Sequence, residues 1–307
     1  MAGTIKSQLN HAISRHLAIG ESKKATRREY GDTQGKIFSC KTADALRATA
    51  NQFAGWLRDH HPEVVKVRQI RDSHVQEWMD QHFKAWSDKT KLDKLSNMRG
   101  IISRCEDIYP GMRCDMSRVS ASYRGDKIRD VHIDPQDIKT LIRSYIGRAE
   151  GGSNGCIALQ LTYRLGLRSD ELSRPENRSD SIDLDQRVVH LVGKNGKWRD
   201  VPIRERDMPY MAHLKERLGP DAQLVHNVRA ESLNRSIRRE MERVDIAEKY
   251  HKTTLHAVRK TYARERMQEE RDRGLTERQA WEIVQKELGH GERFRQALYD
   301  AYIGRGR

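Results

Sequence analysis

Apolar residues recur at steps of three and four along most of this chain, and they alternate in only one short stretch. Ala43, Leu46, Ala50, Phe53 and Leu57 fall on one helical face, with Thr42 placed to cap it. Val75, Met79, Phe83 and Trp86 repeat the pattern, and so do Leu95, Met98, Ile102 and Cys105. Helices this short and this close in sequence can bury their stripes only against one another, which predicts a small bundle over residues 36–112. Residues 1–35 are polar and basic, with one helix expected around Leu9 to Leu17, and read as a basic N-terminal extension.

From Gly111 the apolar period disappears. Arg113, Arg118, Arg124, Lys127 and Arg129 sit among Ser, Gly and Asp, so residues 113–133 read as a basic linker. A second domain, 134–307, opens on Asp134-Pro135, a capping carboxylate followed by proline at the first helical position. Ile138, Leu141, Ile142, Tyr145 and Ile146 continue it as a full helical stripe. The run 151–155 breaks that helix, and another begins at Cys156. The alternating stretch follows: Val188–Val192 and Trp198–Ile203 flank Lys194-Asn195-Gly196-Lys197. Asn-Gly between two strands predicts a hairpin that sets Lys194 and Lys197 opposite each other.

Composition narrows the partner. The 307 residues carry 58 Lys plus Arg against 44 Asp plus Glu, a formal charge of +14. Arginine outnumbers lysine two to one, favouring the residue that grips phosphate bidentately. Such a balance points to a polyanion, nucleic acid first among them. No apolar run is long enough to span a membrane, and the first ten residues lack the core of a secretory signal, so a cytoplasmic protein is expected. Cys40, Cys105, Cys114 and Cys156 form no metal-ligand spacing, and His60-His61 and His251/His256 lack partner ligands; no metal and no cofactor is assigned.

The chemistry-bearing segments lie in the second domain. Gly166-Leu167-Arg168-Ser169-Asp170-Glu171-Leu172 puts Arg168 and Glu171 three apart, where the carboxylate could orient the guanidinium, or merely pair with it at the surface. His256 and Arg259 share a face at the same spacing. Leu288-Gly289-His290 is followed nine residues later by Tyr299, with Tyr302 one helical turn beyond it.

Taken in order, these segments and Lys194 resemble the signature of the tyrosine recombinase (phage integrase) family over residues 134 to 302. Three departures stand out: Lys260 and Gly291 replace the usual histidine and serine, and a charged insert lengthens the stretch around Gln268 to Arg278. The resemblance implies a mainly α fold with a small β-hairpin or sheet: a helical core-binding bundle and a mixed α+β catalytic domain that clamp duplex DNA. It implies Arg168 and Arg259 on the phosphate, His290 as a further donor, and His256 as base or acid. Lys194 would be the acid for the departing 5′ oxygen, with Lys197 competing for that role. Glu171 would orient the arginines. Tyr299 would be the nucleophile, with Tyr302 the alternative.

Independently of any family, a phenol with a pKa near 10 is only about 0.1% ionised at neutral pH and needs a base or an electrophilic phosphate. Two arginines and a histidine can stabilise the charge that builds on the phosphate without a metal. The family also implies double-stranded DNA as partner, four protomers on two paired sites, a Holliday junction, and residence on the nucleoid. The expected task is integration or excision of a phage or mobile element. Chromosome or plasmid dimer resolution, a relaxing type IB topoisomerase and a non-catalytic DNA-binding protein of the same fold are the alternatives.

Overall fold

The computed structural model describes residues 3–82, 84–121, 131–148, 150–193, 196–250, 253–291 and 293–304. Its chain divides into two compact units, Met1–Lys127 and Ile128–Arg307.

The first unit is helical. Helices α1 (Ile5–Arg15), α2 (Lys23–Tyr30), α3 (Cys40–His60), α4 (Asp72–Gln81) and α5 (Asp88–Ile108) surround a core that includes Leu46, Ala50, Phe53, Met98 and Ile102. Helix α1 is part of that core: Leu9, Ala12 and Ile13 are fully buried among residues of α3 and α5, so the first residues belong to the bundle instead of extending from it. The cap of α3 is Ser39, whose side chain accepts the N–H of Thr42, so the helix begins one turn earlier than the apolar stripe suggests. Helix α4 ends at Gln81. Trp86 therefore lies beyond it and meets Trp78 edge-on at 5.0 Å, while Phe83 lies outside the described residues. Of the expected linker, Cys114 and Val119 are buried in this unit's core; Arg124, Lys127 and Arg129 lie outside the described residues.

The second unit opens as its sequence indicates. Asp134 accepts the N–H of Gln136 at 2.7 Å and Pro135 is the first residue of α6 (Pro135–Gly147). Ile138, Leu141 and Tyr145 are buried, while Ile146, at the edge of the stripe, is exposed. Helix α7 (Asn154–Leu165) is buried along nearly its whole length and stops at Gly166, in the left-handed conformation. A short α8 (Ser169–Leu172) leads to an antiparallel sheet of β1 (Ile182–Asp183), β2 (Val188–Val192) and β3 (Trp198–Pro202), in that order, with Val192 opposite Trp198. The fold is mainly α with one small sheet.

The hairpin closes differently from the two-residue turn its sequence suggests. The N–H of Gly193 donates to the carbonyl of Lys197 at 2.7 Å, so Lys197 faces Gly193; Lys194 and Asn195 lie outside the described residues.

Helices α9 (Met208–Leu218) and α10 (Ala230–Arg243) complete the main core. Helices α11 (Leu255–Asp272), α12 (Glu277–Glu287) and α13 (Gln296–Tyr302) form a second cluster around Tyr262, Trp281, Val284, Leu288 and Tyr302. Within it Arg266 grips Glu287 through Nη2 at 2.7 Å and Nε at 3.0 Å, and Tyr262 donates to the same carboxylate at 2.8 Å. A bidentate pair fixes orientation as well as distance. Here it pins the end of α12 to α11, and so sets where Leu288-Gly289-His290 emerges.

Candidate active site

Arg168 precedes α8 as its N-cap residue and is not one of its helical residues. Glu171, at the third helical position and almost wholly buried, accepts both the backbone N–H of Arg168 at 2.8 Å and its Nη1 at 2.7 Å. One carboxylate thus sets both the start of the helix and the direction of the guanidinium. Asn177 supports it from behind: its side-chain amide donates to the carbonyls of Glu171 and Val192 and accepts the N–H of Val192, tying α8 to β2.

Arg259 lies on the buried face of α11, 0% exposed. Its Nη1 donates to the carbonyl of Gly166 and its Nη2 to that of Leu288 at 2.5 Å, while its Nε reaches the hydroxyl of Tyr302 at 3.0 Å. Burial lowers its pKa to about 10. At neutral pH it is a desolvated, fully charged cation.

Two glycines make this arrangement possible. Gly166 has φ +62°, and a Cβ there would stand 2.4 Å from the Tyr262 ring. Gly289 has φ +68°, and a Cβ there would stand 2.8 Å from Cδ of Arg199. Both positions therefore demand the conformation and the missing side chain of glycine.

His290 joins the two arginines. Its Nε2 is 3.2 Å from Nη2 of Arg168, 3.4 Å from Nη2 of Arg259 and 3.1 Å from the hydroxyl of Tyr302. Guanidinium groups only donate, so Nε2 is an acceptor and the imidazole is neutral. Burial, reinforced by Arg259, Arg168 and Arg199, depresses its pKa to about 3. The Tyr302 hydroxyl accordingly accepts from Arg259 and donates to His290. The ring of His256 approaches that of Tyr302 edge-on at 5.8 Å.

The tyrosine in this cluster is Tyr302, where the spacing of the sequence pointed to Tyr299. The hydroxyl of Tyr299 donates to Glu277, its ring packs against Trp281 and Phe294, and burial together with Glu277 pushes its pKa up to about 12. Both tyrosines lie on α13, one turn apart. Helix α13 presents the later one to the arginines. The structure thus brings together Arg168, Glu171, Arg259, His290 and Tyr302, with His256 beside them. It places Tyr299 elsewhere, and Lys194 lies outside the described residues.

Arg199, from β3, was missed by motif reasoning. Its Nη2 donates to Glu171 at 2.7 Å. A signal did exist: Arg199 shares the inward face of β3 with Val201, and an arginine at an inward strand position needs a partner.

One group among the described residues has the spacing to hold a metal ion: His61, Glu63 and His74, in the first unit. The Nδ1 of His74 accepts the backbone N–H of Arg71 at 3.1 Å, which leaves the ring proton on Nε2 and makes that nitrogen a donor instead of a ligand. His61 lies between the carboxylates of Glu63 and Glu77, as an imidazolium would.

No family model matches the sequence, and no curated protein matches it. Solved structures match in fold. A lambda integrase tetramer bound to a Holliday junction superposes with TM-score 0.68 at 14% identity, over 94% of this chain and 78% of that one. XerH site-specific recombinase in its pre-cleavage complex with difH gives TM-score 0.62 at 14% identity, over 97% and 90%. The Tn1549 transposon integrase with circular intermediate DNA gives 0.57 at 14% identity, over 98% and 95%. The chain has the tyrosine recombinase fold. No described helix is long and apolar enough to cross a membrane.

Proposed function

We propose that this protein is a site-specific DNA recombinase that cuts and rejoins strands through a covalent bond to Tyr302. One observation carries the reading: a tyrosine hydroxyl held between a buried arginine and a neutral histidine, beside a second arginine that the same histidine touches. The phenol oxygen attacks phosphorus while the bond from phosphorus to the 5′ oxygen breaks. This leaves a 3′-phosphotyrosine and a 5′ hydroxyl. Arg168 and Arg259 neutralise the charge that grows on the non-bridging oxygens.

The histidine's role follows from its surroundings. With the arginines unneutralised, His290 is too weak a base to take a phenol proton. A phosphate between the guanidinium groups cancels the charge that depresses it, so its basicity returns when the scissile phosphate arrives. Lys194 is assigned to protonate the 5′ oxygen on its place in the sequence motif.

Duplex DNA is the proposed substrate and a homotetramer on paired sites the working assembly. The excess of basic residues and the DNA-bound, tetrameric lambda integrase neighbour support both. Integration or excision of a mobile element is the preferred task, the lambda and Tn1549 neighbours being integrases; dimer resolution is the alternative.

The test is covalent capture of nicked duplexes with a randomised core, followed by denaturing electrophoresis. An adduct formed by the wild type and lost in Tyr302→Phe is the expected result. Tight DNA binding with no adduct from any duplex would leave a binding protein on a recombinase fold.

A further inference from the structure

Arg199 belongs neither to the motif series nor to the set proposed above, yet it faces the same cavity. That cavity, of about 530 Å³, is lined by Arg168, Glu171, Arg199 and His290, with Lys286 and Arg295 also on its wall. The Arg199 side chain is 8% exposed. Its Nη2 is held by Glu171, while its Nε and Nη1 are buried and have no hydrogen-bond partner among the described residues. A buried guanidinium normally has its N–H groups paired. One anchored on one side and unpaired on two nitrogens is poised to donate to an anion.

Charge gives the same answer. Arg168 and Arg199 pair with the single carboxylate of Glu171, and Nη1 of Arg259 is 3.9 Å from it. Around Glu171 alone, three guanidinium groups against one carboxylate leave two positive charges uncompensated, and Lys286 and Arg295 on the cavity wall add to the excess. A phosphodiester carries one negative charge, and in-line attack by a tyrosinate adds a second. Arg199 adds positive charge on the wall of the cavity, where the second negative charge would develop, and an interaction stronger in the transition state than in the ground state is what accelerates a reaction.

We infer that Arg199 is a third phosphate-binding arginine, anchored by Glu171 and supplying positive charge for the pentacovalent transition state. This rests on the recombinase reading above. Gly289 is part of the device, because the Arg199 side chain passes where a Cβ at residue 289 would be.

The experiment compares wild type, Arg199→Ala and Arg199→Lys on a nicked duplex that the wild type captures covalently. Each is run with a normal scissile phosphate and with a methylphosphonate, which is neutral because a methyl group replaces the charged non-bridging oxygen. Thermal melting reports on folding, and a gel-shift titration on DNA affinity. Arg199→Ala should form adduct 100-fold or more slowly on the phosphodiester and less than 10-fold more slowly on the methylphosphonate, with Arg199→Lys between. A deficit of the same size on both substrates would make Arg199 structural and overturn the inference, as would a phosphodiester rate equal to wild type. Failure of the wild type to capture any duplex would instead strike the recombinase reading itself, and this inference with it.

Discussion

Nε of Arg259 lies 3.0 Å from the hydroxyl oxygen of Tyr302, in a site where the arginine is wholly buried. The pairing joins α11 to α13 within the second unit. In the proposed mechanism it places a fixed positive charge on the atom that becomes an anion, so tyrosinate formation would need no rearrangement of the arginine.

Tyr302→Phe should therefore abolish covalent DNA capture and leave DNA affinity within a few-fold of wild type. Tyr299→Phe should keep capture within about 10-fold, because among the described residues its hydroxyl bonds to Glu277 and not to the arginines. Denaturing electrophoresis of the two variants decides between them. Loss in Tyr299→Phe alone would mean that α13 turns by one register when DNA binds.

Glu171→Gln should weaken fold and catalysis together. Burial raises the Glu171 carboxyl, but Arg199, Arg259 and Arg168 outweigh it and hold its pKa below the ordinary 4.5. A depressed carboxylate contributes stability that is complete above about pH 4.5 and is lost as pH falls through its folded value. Removing this charge leaves three arginines unbalanced, a loss of about 3 kcal/mol or more at neutral pH. Urea unfolding at pH 7 and pH 3 should show the gap between wild type and variant narrowing in acid.

His290 should stay neutral in the free protein across the physiological range. Its folded pKa of about 3 is depressed from 6.5, so its contribution to stability is present above pH 6.5 and lost as pH falls towards 3. In an imidazole NMR titration its Cε1–H resonance should not move between pH 5 and 8. A midpoint near 6.5 would contradict the buried, arginine-flanked placement.

Gly166→Ala and Gly289→Ala should separate fold from catalysis. At Gly166 the added methyl meets the rigid ring of Tyr262 in a left-handed backbone, so a loss beyond about 1–2 kcal/mol is expected. Gly289 carries the same left-handed strain, but there the methyl meets the stem of the Arg199 side chain instead of a ring, so the clash falls on the guanidinium's position. That variant should melt closer to wild type while losing strand cleavage. Melting curves and covalent capture, read together, check both.

Much of this was legible in the chain. The Asp134-Pro135 start of α6, the two paired strands and the stripes of α3 and α5 follow from periodicity and capping, which act over a few residues. Motif order also singled out Arg168, Glu171, Arg259 and His290, which the structure brings into one cluster. Details needing neighbours went astray at short range. Ser39 caps α3 in place of Thr42, Gly193 faces Lys197 across the hairpin, and Arg168 stands before its helix.

What the sequence determined, then, was the inventory: a basic, mainly helical chain with two arginines, a histidine and a pair of tyrosines in a recognisable order. What the tertiary structure decided was which atoms meet. Tyr299 and Tyr302 are equivalent in helical pattern, and only the packing of α13 against Trp281 and α11 selects the one that reaches Arg259. Arg199 is one basic residue among many until β3 brings it against Glu171, 28 residues earlier in the chain. Spacing along a chain fixes neighbours one turn away. Contacts across the core depend on how helices and strands pack, and only the folded structure supplies that.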